Sequence, residues 1–301
     1  MTSVEALRAE LEVARLAHEL GASPDDLSGL TPLPAAEIAH LRRQLSAGLV
    51  AHHAHVFDVL ASASALVPAR LAALATRTVI GPTLAGRLAG SMSGDRTAAI
   101  LRHLDAAFVA ACCRTLSADA AAALLPAIDD DRVAATTAAL VASADHATLG
   151  RLVAAVDDER LPAVLAVVDR PADLLLAGAA ADEDAALDRV VAALPPARRV
   201  DILTATLEHP DEGAGVLVRL QPASRGLLLE SVTELDDASL LKLLEGLTAT
   251  VRASRVLRAA AASLPKAELA RASDRLNRND ALGSAIDRLA MTVLGTEDTD
   301  D

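Results

Sequence analysis

Aromatic residues are almost missing from this chain of 301 residues, which has no Trp, no Tyr and only two Phe, Phe57 and Phe108. Apolar residues nevertheless make up 52% of the sequence, so Ala, Leu, Val and a few Ile must supply the core. Ala and Leu are strong helix formers, whereas strands are enriched in aromatic and β-branched residues. The scarcity of aromatic residues therefore argues against a β-sandwich or a β-barrel. No segment alternates apolar and polar residues as a half-buried strand would, so we predict an all-α fold.

Cysteine is scarce as well, since the chain has only Cys112 and Cys113. Adjacent cysteines cannot form an ordinary disulfide, and they do not make the CxxC pattern of zinc or redox sites. We interpret them as small residues buried on a helix, which fits a reducing compartment.

Long apolar runs are also missing. The first twenty residues contain Glu5, Glu10 and Glu12 in place of the apolar core of a signal peptide. The longest stretch without Asp, Glu, Lys or Arg runs from Gln44 to Phe57 and is shorter than the roughly 18–20 residues of a membrane span. We therefore expect a soluble, cytoplasmic protein without a membrane span.

Positive charge is in short supply too. The formal net charge is −13, and Lys occurs only at Lys242 and Lys266, so 26 of the 28 basic residues are Arg. A duplex nucleic acid needs a basic protein face that displaces counterions, and no run of basic residues exists here. Anionic membrane surfaces are disfavoured for the same reason. We attribute the arginine bias to a GC-rich genome and expect neither a nucleic acid nor a membrane as partner.

What the chain does contain is a short repeat. Branched apolar residues, usually followed by Asp or a small residue, recur mostly at steps of twelve or thirteen residues. The positions are Leu104, Leu116, Ile128, Leu140, Val156, Val168, Leu194, Leu207 and Leu220. One short helix and a tight turn fill such a unit, which must stack on its neighbours to bury its apolar face. The sequence therefore predicts an α-solenoid-like superhelix of short stacked helices.

Breaks in the sequence divide this prediction into regions. The segment Gly29–Pro34 and the pair Gly81-Pro82 are the clearest breaks. We predict an N-terminal helical arm or cap over residues 1–80, a repeat body over 81–250, C-terminal helices over 251–294 and a disordered acidic tail over 295–301. The helices predicted over residues 2–20 and 35–65 lie outside the repeat, so they are candidates for capping the array or for self-association.

Two local patterns bear on the helical prediction. Pro126 and Pro162 fall close to predicted helical runs, where a proline must lie in the first turn or produce a kink. Gly86 and Gly90 form a GxxxG pattern, which in a helix outside a membrane indicates close packing against a neighbour. No strand precedes this pattern, so it does not predict a phosphate-binding loop.

Acidic residues cluster in the predicted turns, each cluster directly before an apolar run. The clusters are Asp129–Asp131, Asp157–Glu159, Asp182–Asp184, Asp211–Glu212 and Asp236–Asp237. The start of a helix exposes unpaired N–H groups and a positive dipole end, and carboxylates satisfy both. Mg²⁺ also prefers carboxylate ligands, and the first two clusters are the best candidates for such a site.

The segments LSADAAAALLPAIDDDRVAATTAALV, from Leu116, and LGRLVAAVDDERLPAVLAVV, from Leu149, resemble a known family. They are similar to the cytosolic N-terminal domain of the MgtE-type magnesium transporters. A typical sequence motif of that domain is L-x-P-E-x-A-A-E-L-L-x-x-L. Leu116–Asp119 and Leu194–Arg198 fall in matching places, and the resemblance covers about residues 82–210. It implies a right-handed superhelix of short helices. The chain has neither the transporter's membrane region nor its paired cystathionine-synthase-type modules, so the resemblance does not imply transport.

Histidine is concentrated in the segment AHHAHVFD, where His52, His55 and Asp58 are spaced three residues apart. Such spacing places neighbouring ligands on one helix face, as a metal site requires, although successive steps of three drift around the helix. A polar helix face or histidines at an interface explain the pattern more simply. The GxSxG and HExxH motifs of hydrolases are absent from the sequence.

These observations favour a non-enzymatic protein-interaction, scaffold or regulatory module. Its partner would be another protein, with self-association through the N-terminal helices as a further possibility. The alternatives are a Mg²⁺-responsive regulatory domain, suggested by the acidic turns and the resemblance, and a metal protein or enzyme using His52 and His55. No residue is assigned as catalytic, cofactor-binding or metal-ligating.

Overall fold

The computed structural model describes residues 3–20, 22–51, 67–232, 235 and 237–247. These residues form sixteen α-helices and no strand, so the predicted all-α fold class is confirmed. The helices are α1 (Ser3–Leu20), α2 (Ala35–Ala51), α3 (Ala69–Ala75), α4 (Gly81–Ala89), α5 (Gly94–Leu101), α6 (Ala106–Cys113), α7 (Ala118–Leu124), α8 (Asp130–Ala142), α9 (His146–Leu152), α10 (Leu161–Val167), α11 (Pro171–Ala180), α12 (Asp184–Ala193), α13 (Pro196–Ala205), α14 (Pro210–Arg219), α15 (Pro222–Val232) and α16 (Asp237–Leu247). None of these helices combines the length and the apolar character that a bilayer-spanning segment requires.

Short helical turns of other types complete the secondary structure. Three are 3-10 helices, Pro24–Leu30, Leu125–Ala127 and Val153–Ala155, and one is a π-helical turn, Thr76–Ile80. Pro126 lies in the second of the 3-10 helices, and Pro162 is the second residue of α10. Both prolines therefore lie in first turns, one of the two outcomes that the sequence predicts. The first turn tolerates proline because its backbone N–H groups have no partner within the helix.

The chain divides into two compact units, residues 46–189 and residues 1–45 together with 190–301. Within the first of these, helices pack mainly on their next-but-one neighbours: α3 on α5, α4 on α6, α6 on α8, α8 on α10 and α9 on α11. The other unit follows the same rule, with α13 on α15 and α14 on α16, and it also packs α1 on α14. The superhelix, its handedness and the predicted domain boundaries stay predictions.

Most repeat residues lie at the corners between helices. The corner positions include Leu104, Leu116, Ile128 and Val156. Each of them follows the end of a helix and comes directly before the polar residue at the start of the next helix or turn, whereas Leu140 lies inside α8. The backbone at Ile128 and Val156 is extended, with ψ of 131° and 128°, so it redirects the chain between helices. Leu220, the corner between α14 and α15, is completely buried. An apolar residue just before a helix start packs against the helix's first turns and fixes the entry angle of the chain.

Polar side chains cap the helices that follow these corners. The carboxylate of Asp105 accepts a hydrogen bond from the Phe108 backbone N–H at 2.8 Å. Ser117 and Asp145 accept equivalent bonds at 3.2 Å at the starts of α7 and α9. Each such bond satisfies one of the four N–H groups that a helix start leaves unpaired.

Arginines satisfy the carbonyl groups at the opposite ends of helices. The bonds run from Arg132 to the carbonyl of Leu104 at 2.9 Å, from Arg151 to Cys113 at 2.8 Å, from Arg189 to Val156 at 2.8 Å and from Arg225 to Val218 at 3.0 Å. In the unit of residues 46–189 donor and acceptor lie about one helix pair apart in sequence. A guanidinium group presents several donors in a planar fork, so one side chain can serve two carbonyls, which an ammonium group does less well.

Candidate functional site

Helix α3 carries an exposed row of apolar side chains. Leu71 and Leu74 are spaced by three residues, which places them on one helix face, and the exposed Val67 precedes the helix. The exposed fraction is 57% for Leu71 and 53% for Leu74. On the opposite face Ala72 and Ala73 are buried in a cluster with Ile100, Leu104 and Val109. Small Ala residues thus hold α3 against the core while its large side chains face outward.

The row continues through the π-helical turn into α4. Val79, within the turn, is 82% exposed, and Leu84 of α4 is also exposed. Thr78 donates a hydrogen bond from its Oγ1 to the carbonyl of Leu74 at 2.9 Å, and the turn ends at Gly81, whose φ of 76° favours glycine. π-helical turns are rare in proteins, and those that do occur are often found at functional sites. Val67, Leu71, Leu74, Val79 and Leu84 are called the apolar stripe below.

Three exposed arginines lie among the residues of the apolar stripe in sequence or directly after them: Arg70, Arg77 and Arg87. No Asp or Glu occurs between Asp58 and Asp95, although the whole chain has a net charge of −13. We call these three residues the arginine rim. The sequence arguments missed this site, and the signal that could have found it is the acid-free stretch itself, since charge patterning changes there.

The acidic turns lie at helix starts, as the capping interpretation predicts. Asp130 and Asp131 occupy the first turn of α8, and Asp157 accepts the Arg160 backbone N–H at 2.8 Å. Ion pairs also engage them, because Arg160 Nε lies 2.9 Å from the Asp130 carboxylate. Arg189 lies 3.4 Å from Asp158. Nowhere in the described part of the chain do three His, Cys, Asp or Glu side chains converge as metal ligands would.

His52, His55 and Asp58 lie outside the described residues, so the predicted histidine site stays a prediction. A histidine that the sequence arguments did not single out, His146, forms a 2.8 Å contact from Nε2 to the carboxylate of Asp173. Asp173 is buried in the first turn of α11, and His146 is the first residue of α9. The pair therefore links two helices that pack on each other.

The two cysteines lie at the end of α6. Cys112 is buried and Cys113 is half-buried, in line with the interpretation as small buried residues. Burial raises the pKa of the Cys112 thiol to about 12. Burial also raises the pKa of Cys113 to about 11, although the nearby Arg151 acts in the opposite direction. Both thiols therefore stay protonated at neutral pH, and the reactive thiolate form is suppressed.

The GxxxG pattern marks a close helix approach, as predicted. A Cβ atom at Gly86 would collide with the backbone carbonyl of Cys112 and the hydroxyl of Thr115. A Cβ atom at Gly90 would lie 3.3 Å from the Cβ of Ala120. The first contact lets α4 lie directly on α6, and this packing sets the direction in which α4 presents Leu84.

Comparison with protein-family models, with curated proteins and with solved structures finds no match for this chain. The resemblance to the MgtE-type N-terminal domain stays a prediction from the sequence. Among the described surfaces of the protein, the apolar stripe and the arginine rim are the most unusual in their chemistry.

Proposed function

We propose that this protein is a non-enzymatic protein-interaction module, and that the apolar stripe is its docking surface. The observation that carries the proposal is the exposure of three large apolar side chains, Leu71, Leu74 and Val79, within one short segment of the chain. Contiguous exposed apolar patches are uncommon on monomeric proteins and mark interaction sites, because burying them against a partner is favourable.

The chemistry of the surface favours an acidic, amphipathic helix as the partner's docking element. Such a helix places apolar side chains three and four residues apart, which complements the spacing of Leu71 and Leu74. The arginine rim adds a local positive charge that would attract acidic residues flanking the partner's apolar face. The resemblance to a regulatory domain of short helices supports the same general role.

A site-specific photocrosslink tests this proposal in extract of the native cell. A photoreactive p-benzoylphenylalanine replaces Leu74 in one sample and Ala138, an exposed residue of α8, in the control. We expect one protein to be linked from position 74 and not from position 138. The double variant Leu71→Gln, Val79→Gln, with the photoreactive group still at position 74, should reduce that product severalfold, because it removes apolar contact area while leaving α3 on its core.

Three outcomes would contradict the proposal. One is the same crosslinked products from both positions. Another is a crosslink to a second copy of this chain, with a stripe-dependent dimer in sedimentation velocity, which would assign the surface to self-association. The third is stripe-dependent co-sedimentation with anionic vesicles in place of a protein product, which would assign the surface to a membrane.

The described residues give little support to the two metal-based alternatives. The acidic turns are engaged at helix starts and in ion pairs such as Asp130 with Arg160. The residues of the histidine site, His52 and His55, lie outside the described part of the chain. No described observation therefore favours Mg²⁺ binding or metal chemistry over protein binding.

A further inference from the structure

An open pocket adjoins the apolar stripe within the unit of residues 46–189. Its walls come mainly from α3, the π-helical turn, α4, α5 and α6. Val67 belongs to both the apolar stripe and the pocket wall. Arg96 of α5 holds the backbone there by donating a hydrogen bond to the Val67 carbonyl. The pocket is therefore part of the same surface as the apolar stripe.

Small side chains form the mouth of this pocket. Ala75 of α3 is exposed, and Ala85 and Ala89 of α4 are half-buried. The floor consists of buried aliphatic side chains, among them Leu88 and Ile100. Alanine extends only one carbon atom from the backbone, so these positions leave space that a larger side chain of a partner can enter.

Ala75 also connects the pocket with the exposed leucines of α3. It follows Leu71 by four residues and comes directly after Leu74, so it lies one turn along α3 from Leu71. One helical turn spans about 5.4 Å. A partner helix that covers Leu71 can therefore place a side chain in the pocket three or four residues further along its own sequence.

The lining of the pocket favours an apolar side chain. None of the described lining residues is Asp, Glu, Lys, Arg or His. Thr76 donates its hydroxyl hydrogen to the carbonyl of Ala72 at 2.7 Å, and the hydroxyl of Thr97 is too deeply buried to meet an incoming group. A charged or strongly polar side chain would lose hydration on entering the pocket without gaining a replacement.

Phenylalanine matches this lining best among the large side chains. Its ring has no polar atom, whereas Tyr and Trp carry an O–H or N–H group that needs a partner when it is buried. Met92 lines the pocket at a half-buried position, and a methionine sulfur makes favourable contacts with the edge of an aromatic ring. Aromatic side chains are also enriched at the centres of interfaces, where they bury a large area with few rotatable bonds.

The charges around the pocket determine what should flank such an anchor. The arginine rim lies on three elements that also line the pocket, with Arg70 on α3, Arg77 in the π-helical turn and Arg87 on α4. All three arginines are exposed, and no Asp or Glu occurs between Asp58 and Asp95. Acidic residues close to the anchor would therefore be attracted to this surface, whereas basic residues would be repelled.

We propose that this pocket receives one phenylalanine side chain of the partner's acidic amphipathic helix, about one helical turn from the residue that covers Leu71. This role of the pocket rests on the proposed docking function of the apolar stripe. It adds one requirement to the partner, namely an anchor side chain without a polar group, flanked by carboxylates.

Synthetic acidic helices serve as probes for the full chain. One dye-labelled peptide of Glu, Ala and Leu carries a Phe four residues after a Leu, and its matched control carries Ala in place of that Phe. We expect saturable binding of the Phe peptide in fluorescence anisotropy. The Ala peptide should bind roughly tenfold more weakly, because it lacks the apolar area that the Phe side chain buries in the pocket.

The methyl group of Met92 reports where the ring lies. The chain has only three methionines, so in a sample with isotope-labelled methionine methyl groups the variant Met92→Leu identifies the Met92 signal by its loss. The ring current of a phenylalanine in the pocket should shift this signal in the NMR spectrum. The Ala peptide should shift the same signal much less.

Three variants separate the pocket from the rest of the apolar stripe. Ala75→Leu narrows the mouth of the pocket and should weaken the Phe peptide to about the affinity of the Ala peptide, without weakening the Ala peptide itself. Ala138→Leu makes the same exchange at an exposed position of α8 and is the matched control. Leu71→Gln changes the apolar stripe outside the pocket and should weaken both peptides by the same factor.

Equal affinities for the two peptides, both weakened by Leu71→Gln, would overturn the phenylalanine pocket and leave the docking function of the apolar stripe intact. The pocket is also overturned if the Phe peptide shows no saturable binding or if it binds without shifting the Met92 signal. The photocrosslink at position 74 tests the docking function independently of these peptides.

Two other occupants of the pocket would show themselves in the same spectra. A shift of the Met92 signal on concentrating the protein without peptide would assign the pocket to a second copy of this chain. A shift produced by anionic lipid vesicles but by neither peptide would assign it to a membrane. Either result would overturn the proposal.

Discussion

At the scale of single residues, arginine has a structural role that composition alone did not reveal. The excess of Arg over Lys is a property of the sequence that we attributed to genome composition. The structure shows that several of these arginines donate to carbonyl groups at helix ends, as Arg132 and Arg151 do. Carbonyls at the end of a helix lack the N–H partner four residues ahead that interior carbonyls have, so these bonds replace hydration that burial removes.

Replacing one of these arginines by lysine should therefore be destabilising. Arg189 donates to the carbonyls of Val153 at 3.1 Å and Val156 at 2.8 Å. We expect Arg189→Lys to lower the free energy of unfolding by about 1 kcal/mol, because an ammonium group cannot reproduce both bonds. Urea unfolding measures the change, and Arg102→Lys, at an exposed position, is the matched control. Equal midpoints for the two variants would contradict a capping role for Arg189.

Gly86 should tolerate no larger side chain. An added methyl group would meet the backbone carbonyl of Cys112, which cannot move without displacing α6. We expect Gly86→Ala to reduce stability by about 2 kcal/mol, as overpacking of a core does. Gly29→Ala is the control, because no atom lies within 4 Å of its would-be Cβ. Thermal unfolding of both variants provides the comparison, and an unchanged Tm for Gly86→Ala would rule out the close helix contact.

The cap at Asp145 should make stability depend on pH. Burial acts to raise the pKa of Asp145, but hydrogen bonds from the Arg114 side chain and the Thr148 backbone outweigh it, so the pKa lies below the usual value of 3.8. A carboxyl whose pKa is lower in the folded state stabilises the fold above its unfolded pKa and loses this effect as pH falls through the folded pKa.

We therefore expect wild type to be more stable than Asp145→Asn at pH 7 and the difference to shrink progressively below about pH 4. Chemical unfolding at a series of pH values measures it. Asp129→Asn is the control, because Asp129 precedes α8 without making a side-chain cap bond. A wild-type advantage over Asp145→Asn that persists unchanged at pH 2 would show that the charge of Asp145 is not its source.

At the scale of elements, the short repeat marks the corners between helices. Leu104, Val156 and Leu220 are buried where one helix ends and the next begins. A residue at such a corner contacts both helices, so it controls the angle between them as well as the packing of each. This explains why the spacing equals a helix plus its turn, and why the next residue is so often Asp, Ser or Pro, which start helices well.

Truncation of a corner residue should be costly. Leu220 is completely buried between α14 and α15. We expect Leu220→Ala to lower the free energy of unfolding by about 3 kcal/mol, the usual effect of a cavity left by a buried leucine. Leu71→Ala removes the same atoms from a side chain that is 57% exposed and should change stability far less. Denaturant unfolding compares the two, and similar losses would contradict the assignment of the repeat to buried corners.

At the scale of the whole molecule, residues distant in sequence build one unit. Helix α1 packs on α14, and Arg8 donates to the carbonyl of Val218 at 3.1 Å across 210 positions of sequence. The first 45 residues and the chain from residue 190 therefore form a shared compact unit. A local reading of breaks and repeats has no access to such a contact, because sequence distance hides it.

Loss of the Arg8 contact should loosen α14. We expect Arg8→Met to accelerate hydrogen exchange of the α14 amides, because the end of that helix loses a donor to its carbonyl groups. The control is Glu10→Gln, at an exposed position of α1, which should leave the exchange of the α14 amides unchanged. Mass spectrometry of peptides from α14 provides the measurement. Exchange in α14 that is identical in wild type and Arg8→Met would show that this contact does not stabilise the unit.

The candidate site was hidden from sequence reasoning for a physical reason. Periodicity identifies which side chains share a helix face, but it does not say whether that face meets a neighbour. Leu71 and Leu88 both lie in short Ala-rich helices, yet Leu71 is exposed and Leu88 is buried. The acid-free stretch around the arginine rim was readable in the sequence, whereas the exposure of the leucines beside it was not.

The sequence by itself determined the helical secondary structure and the residues at which helices start. Helix propensity, capping residues and prolines act within a few residues, so the all-α class, the acidic helix starts and the positions of Pro126 and Pro162 follow from local chemistry. Only the tertiary structure decided which helices pair, which carbonyls receive Arg132 or Arg189, and which leucines remain exposed. Those outcomes depend on contacts between residues tens to hundreds of positions apart, and no local pattern encodes them.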